Sequence, residues 1–349
     1  MKIYTKQTVY EAALDRIRWL FDEFDHVLVN ISGGKDSTVT LELALQVARE
    51  KNRLPLDVVF VDQEAEWQAV VEYMRMTMGR DEIRPWWFQM PLQVFNSTSH
   101  AKKDEWLNCW FPEERDKWMR EQEPDSIKDN VYGTTRFNPI FPAIMKHHFK
   151  GKKACYLAGV RTEESPGRYM AVTGNLTYKD VTWGKILDKE EGHYTFYPIY
   201  DWSYTDVWKA IHENKWPYCS LYDRMFQHGY KINDMRVSNV HHETAYKDLF
   251  FLQEFEVETW DKLSQRIGGI NTAKHLQSEY GCPKELPHMF TTWREYRDYL
   301  TEHLIEDPAV KEKFRKEFAR LDVKFIHPKV AMAKDKVCIT SVLANDHYM

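Results

Sequence analysis

Ser32-Gly33-Gly34-Lys35-Asp36-Ser37 places in six consecutive positions the residue types needed to hold a phosphate. Two glycines allow a tight turn and let an anion approach backbone that carries no Cβ. The peptide N–H groups of such a turn, and of a helix starting after it, point at the anion, and the helix dipole favours its charge. Ser32 and Ser37 add hydroxyl donors, Lys35 a point charge, and Asp36 either a helix cap or a magnesium ligand. The plainer alternative is a glycine turn that only starts a helix. The spacing is not the kinase-type GxxxxGK[ST]. A second group, Arg161, Glu164 and Arg168, follows another apolar run. Two guanidiniums there suit phosphate or sulfate oxygens, with Glu164 orienting one of them, or else they form an Arg–Glu network that fixes a loop. A third group, Asp62, Glu64 and Glu66, could hold magnesium or accept from a ribose hydroxyl; otherwise it is a solvated helix start.

Each group needs an element to position it. Residues 26–31 (HVLVNI) form a short β-branched run that stops at the glycines, and 37–50 carry Val39, Leu43 and Val47 at helical spacing. A helix over 8–24 precedes them. Strands are expected at 56–61, 83–89, 153–160 and 194–200, the second of these interrupted by Pro85, with a helix over 67–78. Strands alternating with helices imply an α/β fold, a three-layer sandwich around a mostly parallel sheet, with ligands bound beyond the carboxyl ends of its strands. The Trp-rich stretch 96–138 is too long for a simple connection and reads as an inserted subdomain or lid. Beyond Tyr218 the pattern turns helical (245–255, 257–267, 293–304, 308–321), so the expected division is a nucleotide-binding domain over 1–218 and a mainly helical domain over 219–349.

The 349 residues carry 48 Lys and Arg against 53 Asp and Glu, a net charge of −5, which excludes a globally basic nucleic-acid coat. No apolar run is long enough to cross a bilayer, and the first residues lack the apolar core of a secretory signal. Five separated cysteines with no CxxC argue against a disulfide framework or an iron–sulfur cluster and for a cytoplasmic protein. His147-His148 and His241-His242 invite a metal reading, but adjacent side chains point apart and packing roles are simpler.

The stretch VLVNI-SGGKDS resembles the pyrophosphate loop of the PP-loop ATPases, in their phosphoadenosine-phosphosulfate (PAPS) reductase-like branch. Gly159, Arg161, Glu164, Ser165 and Arg168 match that branch's GxRxxESxxR signature residue by residue, and Asp62-Gln63-Glu64 resembles its Asp-Thr-Gly or Asp-Thr-Glu, with Gln in place of Thr. The resemblance implies an adenine nucleotide α-hydrolase-like fold with ATP, PAPS or a related adenylate as ligand. Its usual chemistry is attack at the α-phosphate with adenylyl transfer and pyrophosphate release. Ser32–Ser37, Asp62 and Gly159 would bind the nucleotide, Asp36 or Asp62 magnesium, and Arg161, Glu164, Ser165 and Arg168 the acceptor, with Lys35, Asp36 and Arg161 carrying the chemistry. Ser203 with Asp206 approximates a capping box in a segment that also matches the branch.

Segments such as Leu221-Tyr222-Asp223 and Met235-Arg236-Val237-Ser238 resemble the Ibr-type co-activators, which implies a ParB-like partner. The sequence departs from true sulfonucleotide reductases in lacking their Glu-Cys-Gly-Ile-His nucleophile; Cys338, near Lys334 and Lys336, is the one thiol in a basic setting. The basic segment 311–336, nine Lys and Arg against four acids, is a helix with a solvated face or a contact for nucleic acid. The rival to an enzyme is a nucleotide-dependent regulatory protein acting through a partner or DNA.

Overall fold

A computed structural model describes all residues except 1–5, 100, 174–175, 276–281, 284, 326–327, 345 and 347–349. The strands are β1 (His26–Asn30), β2 (Leu56–Val61), β3 (Ile83–Phe88), β4 (Leu92–Phe95), β5 (Trp106–Cys109), β6 (Ala154–Ala158), β7 (Gly184–Asp188) and β8 (His193–Phe196). The helices are α1 (Val9–Glu23), α2 (Lys35–Glu50), α3 (Gln68–Met78), α4 (Phe137–Phe149), α5 (Pro166–Thr173), α6 (Tyr204–Asn214), α7 (Leu221–Gln227), α8 (Leu249–Phe255), α9 (Val257–Arg266), α10 (Ile270–Ala273), α11 (Trp293–Leu304), α12 (Pro308–Lys324) and α13 (Pro328–Leu343).

Six strands form one sheet in the order β3-β2-β1-β6-β8-β7, and all pair in parallel except β7 with β8. Every residue of β2 is buried, so that strand is covered on both faces, as the middle layer of an α/β sandwich must be. Pro85 is accommodated because β3 is an edge strand, where a missing N–H need not cost a ladder bond. The predicted strands fall where the apolar runs place them. The antiparallel β7 escapes a sequence reading because its Lys185 and Ile186 are exposed and the apolar alternation is lost. Helix α4 escapes for another reason: Pro139 and Pro142 interrupt its pattern, yet both lie in its first half, where the helix loses few bonds to them. The predicted capping box forms, with Ser203 Oγ accepting from the Asp206 N–H (3.2 Å) and Asp206 accepting from the Ser203 N–H (2.7 Å).

The chain divides into two compact units, one of Met1–Val94 with Asn108–Ser238, the other of Phe95–Leu107 with Asn239–Met349. The first therefore runs beyond residue 218 to include α7, and the Trp-rich insertion is shared between the units instead of forming a subdomain of its own. In the second, Phe314 and Phe318 of α12 pack with Ile305, Cys338 and Val342. No described helix is long and apolar enough to cross a membrane.

Candidate nucleotide site

The sheet reverses its winding between β1 and β6: the chain runs from β1 outward through β2 to β3, then returns to the other side of β1. A crevice opens at such a switch point beyond the strand ends. The loop after β1 is Ser32-Gly33-Gly34, and the segment after β6 begins at Gly159, so the two strongest sequence motifs meet at that point. Gly33 has φ +75°, and a Cβ there would lie 2.8 Å from Val70 Cγ1. A Cβ on Gly159 would lie 2.4 Å from the Asp36 carbonyl carbon and 2.5 Å from the Ser37 nitrogen, so only glycine lets β6 end against the first turn of α2. Gly34 differs: a Cβ there meets nothing nearer than 3.7 Å, Ser32 Oγ and Tyr222 Oη. Ser37 Oγ donates to the Gly34 carbonyl (2.8 Å) and accepts from the Ser32 N–H (3.2 Å), which fixes the turn. The N–H groups of Gly33, Gly34 and Asp36 meet no protein acceptor among the described residues. They are the orphan donors with which a helix start binds anions.

Lys35, Asp36 and Arg161 are brought together, but they face one another. Asp36 is paired with Arg161 Nε and lies 3.5 Å from Lys35 Nζ; the three residues are 8, 4 and 6% exposed for Asp36, Arg161 and Lys35. Lys35 Nζ donates to the Met235 carbonyl (3.1 Å), and the Lys35 N–H donates to Tyr222 Oη (2.9 Å). Burial pulls the Lys35 ammonium pKa down, against the Asp36 charge, which pulls it up. Arg161 also reaches Glu163 (3.2 Å), whose carboxylate accepts from the Tyr204 N–H (3.0 Å). The Arg–Glu network that was the alternative for this segment is therefore present, and Asp36 serves as an ion-pair partner, not as the helix cap, which is Gly34.

Asp62 and Glu64 occupy a different setting from the one expected of metal ligands. Asp62 is fully buried and accepts from Trp87 Nε1 (2.9 Å), Gln89 Nε2 (2.9 Å), Arg120 Nη2 (2.5 Å) and the Glu64 N–H (2.9 Å). Glu64, at φ +63°, accepts from the Trp110 N–H (2.9 Å) and the Met119 N–H (3.3 Å). These carboxylates fasten the insertion's return segment to the end of β2. With Asp36 held by two cations and Asp62 by four donors, the donor set does not fit a magnesium ion. Among the described residues no group of three His, Cys, Asp or Glu is placed to hold a metal. Glu66 is the exception in this trio: burial, with the Asp62 charge adding, pushes its carboxyl up to about 8.

Glu164 and Arg168 form an ion pair with each other, and Ser165 Oγ accepts from the Arg168 N–H (3.2 Å) as a helix cap does. Burial lowers the Arg168 guanidinium, and the positive charge of Arg236 lowers it further. In the sequence, Tyr222 and Arg236 stand out only as points of family resemblance; the place of Tyr222 against the Lys35 N–H is set by tertiary folding and leaves no local signal. Two of the thiols are made poor nucleophiles by burial, which raises Cys338 to about 11 despite Arg297 and Lys334 and also raises Cys282. His241 is buried with Nδ1 at 2.9 Å from the Phe95 carbonyl, and His148 bonds Tyr132 Oη (3.0 Å), both packing roles.

The model of the phosphoadenosine phosphosulfate reductase domain matches residues 26–273, from the first residue of β1 to the last of α10. The chain belongs to this PAPS reductase domain family. Within reach of that family, "Uncharacterized protein YbdN" of Escherichia coli K12 is 28% identical over 335 residues, covering 91% of this chain and 80% of its own. Among solved structures, PAPS reductase from Candida auris in a phosphate complex is 15% identical, covers 69% of this chain and 98% of its own, and gives a TM-score of 0.39. FMN adenylyltransferase of Candida glabrata in complex with ATP is 12% identical, covers 64% and 62%, and gives 0.37.

Proposed function

We propose that this protein binds ATP or a related adenylate such as PAPS at Ser32–Ser37 and Gly159, and acts at its α-phosphate towards an anionic acceptor. The observation that carries this reading is the set of unbonded N–H groups of Gly33, Gly34 and Asp36 at the sheet's switch point, with Arg168 nearby in charge terms. With ATP, an acceptor oxygen bonds to the α-phosphorus as the bond to the bridging oxygen breaks and pyrophosphate leaves. Ser32, Gly33 and Gly34 would donate to the phosphates, and Arg168 would face the acceptor or leaving group. Lys35, Asp36 and Arg161, held in a buried ion-pair chain, would keep the loop in shape and place their charge behind it. Glu164 and Ser165 would orient Arg168. A thiol-dependent sulfonyl reduction is disfavoured by the raised thiols.

Incubating pure protein with labelled ATP, and separately with PAPS, tests this directly. Adenylylated product with stoichiometric pyrophosphate supports it; thioredoxin-dependent sulfite release from PAPS overturns the non-thiol chemistry. One observation favours the regulatory reading: Lys35 already has its ammonium and its N–H satisfied within the protein. Stoichiometric nucleotide binding without turnover, with a ParB-like protein or DNA captured, would select it. The basic segment 311–336 gives DNA only a modest footing, since Lys311 and Arg315 pair with Glu302, Arg320 with Glu317, and Lys334 with Asp322 and Asp335.

A further inference from the structure

Residues 229–238, which follow α7, form no helix or strand, yet they are tied to the starts of two helices. The Met235 carbonyl accepts from Nζ of Lys35, the first residue of α2 (3.1 Å). The Ser238 carbonyl accepts from Nε1 of Trp67, the cap residue of α3 (3.1 Å). Met235 and Ser238 are buried, while Lys231, Asp234 and Arg236 are exposed, so the segment is a strap held at its buried positions. Its hold on the phosphate loop is through Lys35. That ammonium lies between Asp36 (3.5 Å) and the Met235 carbonyl, and the Lys35 N–H is taken by Tyr222 Oη (2.9 Å). Ser238 Oγ, by contrast, is buried with no hydrogen-bond partner among the described residues. An unsatisfied buried hydroxyl is a cost of this strap position that a second position can relieve.

We propose that the strap is an autoinhibitory latch on the phosphate loop. The Met235 carbonyl holds the ammonium that a phosphoryl oxygen needs, and a bound polyphosphate takes Lys35 in its place and releases residues 235–238. This rests on the nucleotide reading above and adds its regulation. The exchange has a direction, because an ammonium meets a full charge on a phosphoryl oxygen and only a dipole on a carbonyl. A ligand shifts such an equilibrium only by its difference in affinity for the two positions, and Lys35 supplies that difference. The strap is the last stretch of the first unit before the chain leaves it at Ser238, so occupancy of the loop is reported by a segment with an exposed run, Lys231 to Asp234.

Since strap and ligand compete for Lys35, whatever loosens the strap must tighten the ligand. Trp67→Phe takes the indole N–H away from the Ser238 carbonyl, and Met235→Ala removes a buried side chain from the strap itself; neither changes a loop residue. Calorimetric titration of the full chain with ATP, and with inorganic pyrophosphate, is expected to show both variants binding about fivefold or more tighter than wild type. Equal or weaker binding by either variant, where it melts with the wild type, overturns the latch and leaves the nucleotide reading standing. Binding by the variants alone supports both readings, and binding by none of the three proteins sinks both. Should a variant unfold early, the wild type decides through hydrogen–deuterium exchange. The amides of 235–238 are expected to exchange about tenfold faster or more with saturating ATP than without it, and unchanged or slower exchange overturns the latch.

Discussion

Two buried arginines of this protein, Arg161 and Arg297, sit at the centres of ion-pair clusters, and the clusters differ in their charge balance. Around Arg297, 3% exposed, lie Asp298, Asp322 and Asp335, while Lys334 and Arg294 share Asp322. Three cations meet three carboxylates. Burial alone would raise Asp322, yet the bonds from Arg297 and Lys334 overcome it and bring its carboxyl down to about 2. Around Arg161 the cations Lys35, Arg168 and Arg236 are added to one side and Asp36, Glu163 and Glu164 to the other, which leaves one positive charge over. A closed cluster holds helices together. An unbalanced one, placed where a glycine loop offers free N–H groups, would suit an anion. The lesson is that a buried arginine by itself does not mark a site; its surplus does.

Breaking the closed cluster should have the largest effect. Arg297→Ala removes the buried guanidinium that joins Asp298, Asp322 and Asp335 but leaves Lys334 on both Asp322 and Asp335 and Arg294 on Asp322, so the expected loss of stability is about 3 kcal/mol, the low end for a broken buried pair. Urea unfolding reads this, and nucleotide binding measured below the transition should stay at the wild-type level. A loss of binding with unchanged stability would make Arg297 part of a site and end the contrast.

Next in size is the buried carboxyl of the first unit. Glu66 has its pKa raised from 4.5 to about 8, so between those values the folded state holds a proton that the unfolded state has released. The contribution of Glu66 to stability then falls as pH rises from about 4.5 to about 8 and levels off above. Glu66→Gln cannot ionise, so it should lack this contribution, and its stability relative to wild type should rise across the same window to an excess on the order of a few kcal/mol at pH 8. Parallel slopes for the two proteins would place the Glu66 carboxyl in water, outside the Asp62 cluster.

The sequence made the local parts of this arrangement legible and hid the pairings. A β-branched run ending at Gly33-Gly34 and a helical repeat after it read directly as β1, loop and α2, because strand, turn and helix are each written in neighbouring residues. The partner of Asp36 lies 125 positions away and that of the Lys35 N–H lies 187 away. No spacing rule reaches so far. Asp62 looked like a metal ligand because an acid at a strand end is the right residue type; what decides its role is Trp87, Gln89 and Arg120, supplied by an edge strand and by the return of the insertion. Composition marked the insertion as unusual, but its tryptophans could not show that Trp110 donates to the Asp62 carbonyl at 2.9 Å.

The same distinction sharpens the role of Lys35. Lys35→Met keeps most of the stem's volume, drops the ammonium and frees the Met235 carbonyl. Asp36 keeps Arg161, so no carboxylate is left unpaired, and the expected loss of stability is only about 1–2 kcal/mol. Turnover of nucleotide should fall much further, by about a hundredfold, if the charge behind the loop stabilises phosphoryl oxygens. Full activity in Lys35→Met would reduce the residue to an anchor for the segment at Met235 and leave anion binding to the N–H groups and the arginines.

Gly34→Ala asks the finest question, since it changes one methyl group in the loop. Gly34 has ordinary negative φ, −78°, and a Cβ there would meet its nearest neighbours at 3.7 Å, so the fold tolerates alanine and the expected change in stability is within about 1 kcal/mol. Gly33 offers no such test, because its φ of +75° and the approach of Val70 would unfold the turn for reasons unrelated to any ligand. At Gly34 the new methyl lies beside Ser32 Oγ, in the space an anion needs to reach the loop's N–H groups. Pyrophosphate binding, read by calorimetry, should therefore weaken by about tenfold in a protein that melts with the wild type. Unchanged binding would mean that the turn only starts α2, and the loop would then drop out of the contrast with the Arg297 cluster.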